Sequence, residues 1–252
     1  MLSQLQTGRK KQVVFCDFDG PIVDVSERYY RTYRKGLKVI AAVCDRETNQ
    51  TIATTPLSKE QFWHKKQNRV ADRDIALCSG VPTEWFERYM HQVEKIVNHA
   101  SLLRWDQMQP SARAALSYLK QSDMRLVLVT LRHPHQVETF LRAQGLTHLV
   151  DDVYGASTTE AAHRNRVEHK RELLTIAIEQ QELQGYCTDQ SWMIGDTEAD
   201  VIAAKAVGLP SAALSCGVRS MEYLSALQPT KLYTELFTAA QGVVETVALQ
   251  TA

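Results

Sequence analysis

Two carboxylates stand one residue apart in the segment Asp17-Phe18-Asp19-Gly20. In an extended chain such a pair projects to the same side. Carboxylates that close repel each other unless a cation holds them. A cluster of carboxylate oxygens is the usual cradle for Mg²⁺. Gly20 lets the chain turn sharply away. A third acid, Asp196, lies far along the chain in Gly195-Asp196-Thr197-Glu198-Ala199-Asp200, with Asp200 four positions on. Thr130 offers a hydroxyl and a backbone N–H to an anionic oxygen, and Lys170 supplies a cation. Together these are the parts for phosphoryl transfer. One carboxylate attacks phosphorus. A second delivers a proton to the leaving oxygen and later activates water. Mg²⁺, Lys170 and the Thr130 donors screen charge on the equatorial oxygens. Singly, each signal also has a plain structural reading: a polar turn after a strand for Asp17 and Asp19, a solvated helix residue for Lys170, a helix-start complement for Asp200.

The elements that must position these residues follow from hydrophobic patterning. Residues 12–16 (QVVFC) form a short apolar run bounded by charge and an Asp-Gly turn, which predicts a buried strand. Residues 25–104 show helix-type spacing throughout, as at Tyr29, Tyr33, Leu37 and Ile40, which predicts an all-helical insert. From Pro110 the pattern alternates. Helices are expected at 111–121, 133–144, 168–184, 198–207 and 243–249, the second stopped by Gly145. Strands are expected at 125–130, 150–154, 191–194 and 211–214, with an edge strand at 231–233. This predicts an α/β fold, a doubly wound, mostly parallel sheet carrying an inserted helical cap. Ligands of such sheets collect at the carboxyl ends of the strands, where Asp17, Thr130 and Asp196 all fall. Lys170 opens a helix, where the dipole disfavours a cation, and a nearby anionic ligand would offset that cost.

Composition narrows the field. The chain has 252 residues, 44% hydrophobic, enough to bury a core. Lys plus Arg and Asp plus Glu both number 29, so the formal net charge is zero. A neutral chain has no bulk attraction to nucleic acid or anionic membrane, and neither is an expected partner. The basic run Arg9-Lys10-Lys11 reads as a solvated tail. Five scattered cysteines without a CxxC pair argue against a disulfide framework or zinc site and for a reducing, cytoplasmic setting. The first residues lack the apolar stretch of a signal peptide. No segment approaches the ~18 apolar residues of a membrane span. His133, His135, His163 and His169 lack metal-ligand spacing and read as loop residues. Trp63, Trp85 and Phe86 read as insert core, and one of Lys65, Lys66, Arg69 and Arg73 is expected to reach the substrate.

In order along the chain, DFDG at 17–20, Val129-Thr130, Lys170 and GDTEAD at 195–200 resemble the four motifs of the haloacid dehalogenase superfamily. The stretch GDTEADVIAAKAVGLPSAALSCGVRS is most similar to its phosphoglycolate-phosphatase branch, which carries a helical cap after the first motif. The resemblance implies Asp17 as nucleophile and metal ligand. It implies Asp19 as acid/base, giving its backbone carbonyl to the metal. Asp196 would complete the Mg²⁺ site, with Asp200 a ligand or a partner to one. Thr130 and Lys170 would bind the phosphoryl group, and Leu131 and Arg132 complete the expected substrate-binding set. Three departures bear on substrate more than on reaction type. Pro21 replaces a usual Thr or Val. Leu131 and Arg132 replace a common Asn or Ser and a frequent Lys. Lys170 lacks a following Pro, with Arg164, Arg166 and Arg171 as rivals for its role.

The sequence thus predicts a Mg²⁺-dependent phosphatase of a small phosphorylated metabolite, acting through a phospho-aspartyl intermediate as a monomer or homodimer. Its core would be 1–24 plus 105–252 and its cap 25–104. Alternatives of the same fold are a phosphomutase, which would keep all four motifs, and a phosphonatase, which would need a cap lysine such as Lys35, Lys38, Lys65 or Lys66. A dehalogenase would have no use for Asp19. A non-catalytic binding module retaining the fold is the alternative of a different class.

Overall fold

The computed structural model describes residues 10–159 and 161–250. Residues 1–9, with Arg9 of the basic run, and the last two residues of the expected core lie outside the described residues. In chain order the elements are β1 (Val13–Cys16), β2 (Val23–Asp24), α1 (Ser26–Thr48), α2 (Lys59–Gln67), α3 (Asp72–Cys78), α4 (Phe86–Val97), α5 (Ala100–Leu103) and β3 (Gln107–Met108). There follow α6 (Ala112–Gln121), β4 (Arg125–Thr130), α7 (Pro134–Ala143), β5 (Asp152–Gly155), α8 (Ala161–Arg164) and α9 (Val167–Leu183). The chain ends with β6 (Met193–Gly195), α10 (Glu198–Ala206), β7 (Ser211–Leu214), α11 (Met221–Ala226), β8 (Lys231–Tyr233) and α12 (Leu236–Gln250).

Six strands form one sheet in the order β5-β4-β1-β6-β7-β8, and every pairing in it is parallel. β1 is central, with Cys16 level with Leu128 on one side and Ile194 on the other. Parallel strands need both faces covered, and the side-chain alternation shows how this is met. Val14, Cys16, Leu126, Leu128 and Ile194 face one cluster with α6, α7 and α12. Val13, Phe15, Val127, Val129 and Met193 face the other with α9 and α10. This is the expected doubly wound α/β architecture.

The segment between β2 and β3 is helical, and it packs its own cluster around Tyr33, Leu37, Ile40, Phe62, Tyr89 and Val93. Asp24 starts α1 by accepting the Ser26 N–H at 2.8 Å, and Asn49 ends it in the left-handed conformation. β2 and β3 pair antiparallel, Val23 with Met108 and Asp24 with Gln107, so the chain leaves and re-enters the sheet region side by side. Two-residue strands carry no readable periodicity, and the sequence did not predict them. Also unpredicted were α8, α11 and the first half of α12. No helix among the described residues is long and apolar enough to cross a membrane.

Candidate active site

The carboxyl ends of β1, β4 and β6 bring together the side chains that the motifs nominated. Asp17 follows β1 directly, Thr130 ends β4, and Asp196 follows Gly195 at the end of β6. Asp17, Asp196 and Asp200 each offer a carboxylate oxygen within 4.8 Å of the others. The Lys170 ammonium, in the first turn of α9, lies 2.9 Å from Asp17 Oδ1 and 2.9 Å from Asp200 Oδ1. It also donates to the Val129 carbonyl at 2.8 Å. These anions offset the dipole cost of a cation at a helix start, the role the sequence left to a ligand. Of the basic residues near it, Arg164, Arg166 and Arg171 are exposed while Lys170 is fully buried.

The Asp17 Oδ1 also accepts the Phe18 N–H at 2.7 Å, which fixes the carboxylate's orientation. Burial lifts the Asp17 carboxyl to about 7; Lys170 opposes that shift and the Asp200 charge adds to it. Burial, then the Asp200 and Asp17 charges, push Asp196 well above the usual carboxylate range. Burial alone would lower the Lys170 ammonium, yet Asp17 and Asp200 outweigh it and raise it. Asp200 serves two purposes. Its Oδ2 accepts the Thr197 N–H at 3.0 Å and the Thr197 hydroxyl at 2.8 Å at the start of α10. Its Oδ1 faces Lys170.

The cluster suits a divalent cation. Three buried carboxylates meet one ammonium, so full ionisation would leave two negative charges in excess, and without a cation burial and mutual repulsion oppose it. Asp196 Oδ2 accepts the Val218 N–H at 2.5 Å, while Oδ1 is buried without a hydrogen-bond partner. Glycines clear the space around this carboxylate. A Cβ on Gly20, whose φ is +98°, would lie 2.1 Å from Asp196 Cγ, and one on Gly217 2.1 Å from Asp196 Oδ2. Oxygen-only donors of this kind match a hard cation such as Mg²⁺.

Asp19 is placed differently. Its carboxylate turns away from the acidic cluster toward Arg28 Nη2 at 2.9 Å and Arg132 Nη2 at 2.7 Å. Burial would raise its carboxyl, but Arg132 and then Arg28 outweigh it and hold it below the ordinary value. Arg132, expected at the substrate, lines the cavity but spends its guanidinium on Asp19 and Asp106. Thr130 and Leu131 both line the cavity; Thr130 Oγ1 accepts the Arg132 N–H at 3.2 Å.

The helical insert, α8 with the residues after it, and the loop after β7 line the rest of the cavity. Tyr29, Lys66, Arg69, His163 and Arg219 line it above Asp17. Of the four insert lysines weighed above, Lys66 lines the cavity, and Asp72 holds its ammonium at 2.7 Å. Of Lys65, Lys66, Arg69 and Arg73, it is Lys66 and Arg69 that reach this space. The end of α2 is docked on the core. Arg69 Nε lies 2.7 Å from Glu198, Arg219 Nη1 donates to the Lys66 carbonyl at 3.1 Å, and the Ser220 N–H donates to the Gln67 carbonyl at 3.0 Å. Burial would lift Glu198, but the Arg219 hydrogen bonds prevail and hold it at about 2.

Of the four histidines read as loop residues, His135 lies in α7, His163 in α8 and His169 in α9; His163 stands apart, with both ring nitrogens buried without a hydrogen-bond partner and its ring meeting Tyr29 edge-on. Arg28, Asp106, Glu198 and Arg219 were missed. A buried, paired charge has the same letter as a solvated one, and no spacing rule separates them.

With this geometry in view, comparison with known proteins identifies the class. Residues 11–208 match the haloacid dehalogenase-like hydrolases, and the chain belongs to that family. A phosphoglycolate phosphatase of Aliivibrio fischeri is 30% identical over 122 residues, spanning 48% of this chain and 50% of that protein. The chain thus matches about half the length of that curated relative. Among solved structures, a predicted phosphatase from Clostridium acetobutylicum superposes with a TM-score of 0.67 at 18% identity, covering 94% of this chain and 100% of that one. A predicted phosphoglycolate phosphatase from Haemophilus somnus gives 0.63 at 17% identity, covering 93% and 98%. At these identities the structures speak to the fold.

Proposed function

We propose that the protein is a Mg²⁺-dependent phosphatase that hydrolyses a small phosphomonoester through a phospho-aspartyl intermediate on Asp17. The observation that carries this reading is the Asp17 carboxylate at the end of the central strand, oriented by Lys170 and ringed by Asp196 and Asp200. Asp17 attacks phosphorus as the ester P–O bond breaks. Asp19, whose two arginines favour its ionised form, takes up a proton before it gives one to the departing oxygen, and it then takes one from the water that attacks the acyl phosphate. Lys170 and Thr130 stabilise charge on the phosphoryl oxygens. Asp17, Asp196 and Asp200, with the Asp19 backbone carbonyl, would hold Mg²⁺, which supplies Lewis-acid neutralisation of the transferring group. The division into a core (1–24 and 105–252) and a cap (25–104) belongs to the same proposal: the cap closes over the bound ester and excludes competing water.

The test is phosphate release from p-nitrophenyl phosphate with Mg²⁺, with EDTA, and with Asp17→Asn. Activity that needs Mg²⁺ and disappears in the variant is the expected result. Equal rates for wild type and variant would remove the proposal. A panel of phosphorylated metabolites, with 2-phosphoglycolate among them, then identifies the substrate.

A further inference from the structure

Asp19 sits in a closed ring of charge. Arg28 and Arg132 both reach its carboxylate, at 2.9 and 2.7 Å. The same two arginines meet again on Asp106, Arg28 through Nε at 2.7 Å and Arg132 through Nη1 at 2.7 Å. With Asp19 ionised, signs alternate around the four members and the ring is neutral; the proton Asp19 delivers leaves it one positive charge in excess while it is held. It is also interior: side-chain exposure is 0% for Arg28, 1% for Arg132, 1% for Asp106 and 13% for Asp19. Buried ion pairs of this kind add little stability over apolar packing of the same volume. A network this complete is better explained by what it orients.

The origins of the members show what that is. Asp19 follows β1 and Arg132 follows β4, both in the sheet region. Arg28 lies in the first turn of α1, just beyond β2, and Asp106 immediately precedes β3. The ring therefore ties each of the two linkers of the helical insert to the two strand-end loops that carry Asp19 and Arg132. Arg28 also donates to Asn98 Oδ1 and to the Val97 carbonyl at 3.5 Å, which adds the end of α4. Each guanidinium is a rigid fork whose geometry transmits position as well as charge.

We propose that Arg28 and Asp106 are positioning residues for Asp19: the ring they close with Arg132 sets where the Asp19 carboxylate sits and makes that place depend on both linkers of the insert. This deepens, and rests on, the phosphatase reading given above. On it, Arg132 is a fixed member of the ring. Loss of Arg28 leaves Asp19 a single ion pair and freedom to rotate. Loss of Asp106 uncouples the second linker.

The test separates proton delivery from the rest of catalysis. p-Nitrophenolate leaves without a proton, whereas an alkoxide needs one. Rates are compared on p-nitrophenyl phosphate and on the alkyl phosphomonoester, 2-phosphoglycolate or another of the panel, that wild type turns over fastest. The variants are Arg28→Met, Asp106→Asn and the pair combined, which keeps the interior neutral. On the alkyl ester the single-turnover rate of alcohol release is expected to fall about 30-fold or more with the half-saturating concentration little changed, a part of the ~10²–10⁴ that a general acid contributes. On p-nitrophenyl phosphate the single-turnover release of p-nitrophenolate stays within about threefold, since that step needs no proton, while steady-state kcat falls because Asp19 also activates the water that attacks the acyl phosphate. Asp19→Asn, which removes acid and base together, shows the same split in single-turnover cleavage at its largest and loses steady-state turnover on both esters. Arg28→Lys retains the charge but not the fork, and a smaller split in the same direction is expected even where the other variants fold poorly. Equal losses of single-turnover cleavage on both esters, or no loss on either, overturn the proposal. Failure of the underlying phosphatase reading looks different: wild type hydrolyses neither ester, or Asp17→Asn hydrolyses them equally well.

Discussion

Asp17 and Asp196 are carboxyls that the fold makes reluctant to ionise, and this has a measurable linkage. Asp17 sits at about 7 in the folded protein against 3.8 ordinarily. A carboxyl whose folded value is raised holds its proton more tightly folded than unfolded. Its contribution to stability therefore falls as pH rises from 3.8 toward about 7. A divalent ion displaces that proton, so its stabilising effect must grow over the same range. Thermal melts with and without millimolar Mg²⁺ are expected to show a small difference near pH 5 and a larger one above pH 7, approaching ~3 kcal/mol at about a hundredfold excess over Kd. His163 works in the opposite sense: burial, with Lys66 adding, lowers it to about 4, a cost absent above 6.5 that grows as pH falls. The Mg²⁺ difference at each pH cancels this. A constant Mg²⁺ effect across pH would contradict the assigned cluster. Asp17 and Asp196 were readable because each follows a recognisable apolar strand, and Asp200 because it stands four positions after Asp196. Arg28 and Asp106 were not, because their importance lies in partners 78 positions apart.

The strands that position Asp17 and Thr130 were the most readable elements. VVFC and RLVLVT are unbroken apolar runs of strand length, and β4 and β7 fall where expected. The terminal helix was half missed because Gly242 reads as a break. In the structure it is a contact point, where a Cβ would lie 2.1 Å from the Tyr233 hydroxyl. Helix α2 makes its own prediction. Its docking rests partly on Arg69, 41% exposed at the side chain, and Glu198. Arg69→Ala is expected to change stability by no more than about 1 kcal/mol. Looser closure should raise KM severalfold and leave kcat unchanged or higher, as steady-state kinetics can show. A drop in kcat at unchanged KM would place Arg69 in the chemistry and not in the closure.

The molecule has two interiors. One lies on both faces of the sheet, the other among α1 to α4, and Tyr29 and Trp63 pack against both. Leu37→Ala, wholly within the insert, is expected to cost roughly 2–5 kcal/mol locally. Amide hydrogen exchange should then speed up across 26–103 while β1 and β4 stay protected. Leu128→Ala, in the sheet, should loosen the whole chain. Uniform acceleration by Leu37→Ala would mean a single cooperative unit. This arrangement was foreseen as a long helical interruption of a strand–helix alternation. The ladder that closes it, two residues per strand, was below the reach of pattern.

That ladder makes the sheet region a host and the helices a guest. Since Asp24 and Gln107 are cross-strand neighbours, the guest begins and finishes at one spot, and its length adds nothing to the span the host must bridge. Foreign helical segments of other sizes can be grafted there without shifting a strand, so long as both ends arrive together. One demand travels with the graft: a cation early in its first helix, to meet Asp19 and Asp106 as Arg28 does.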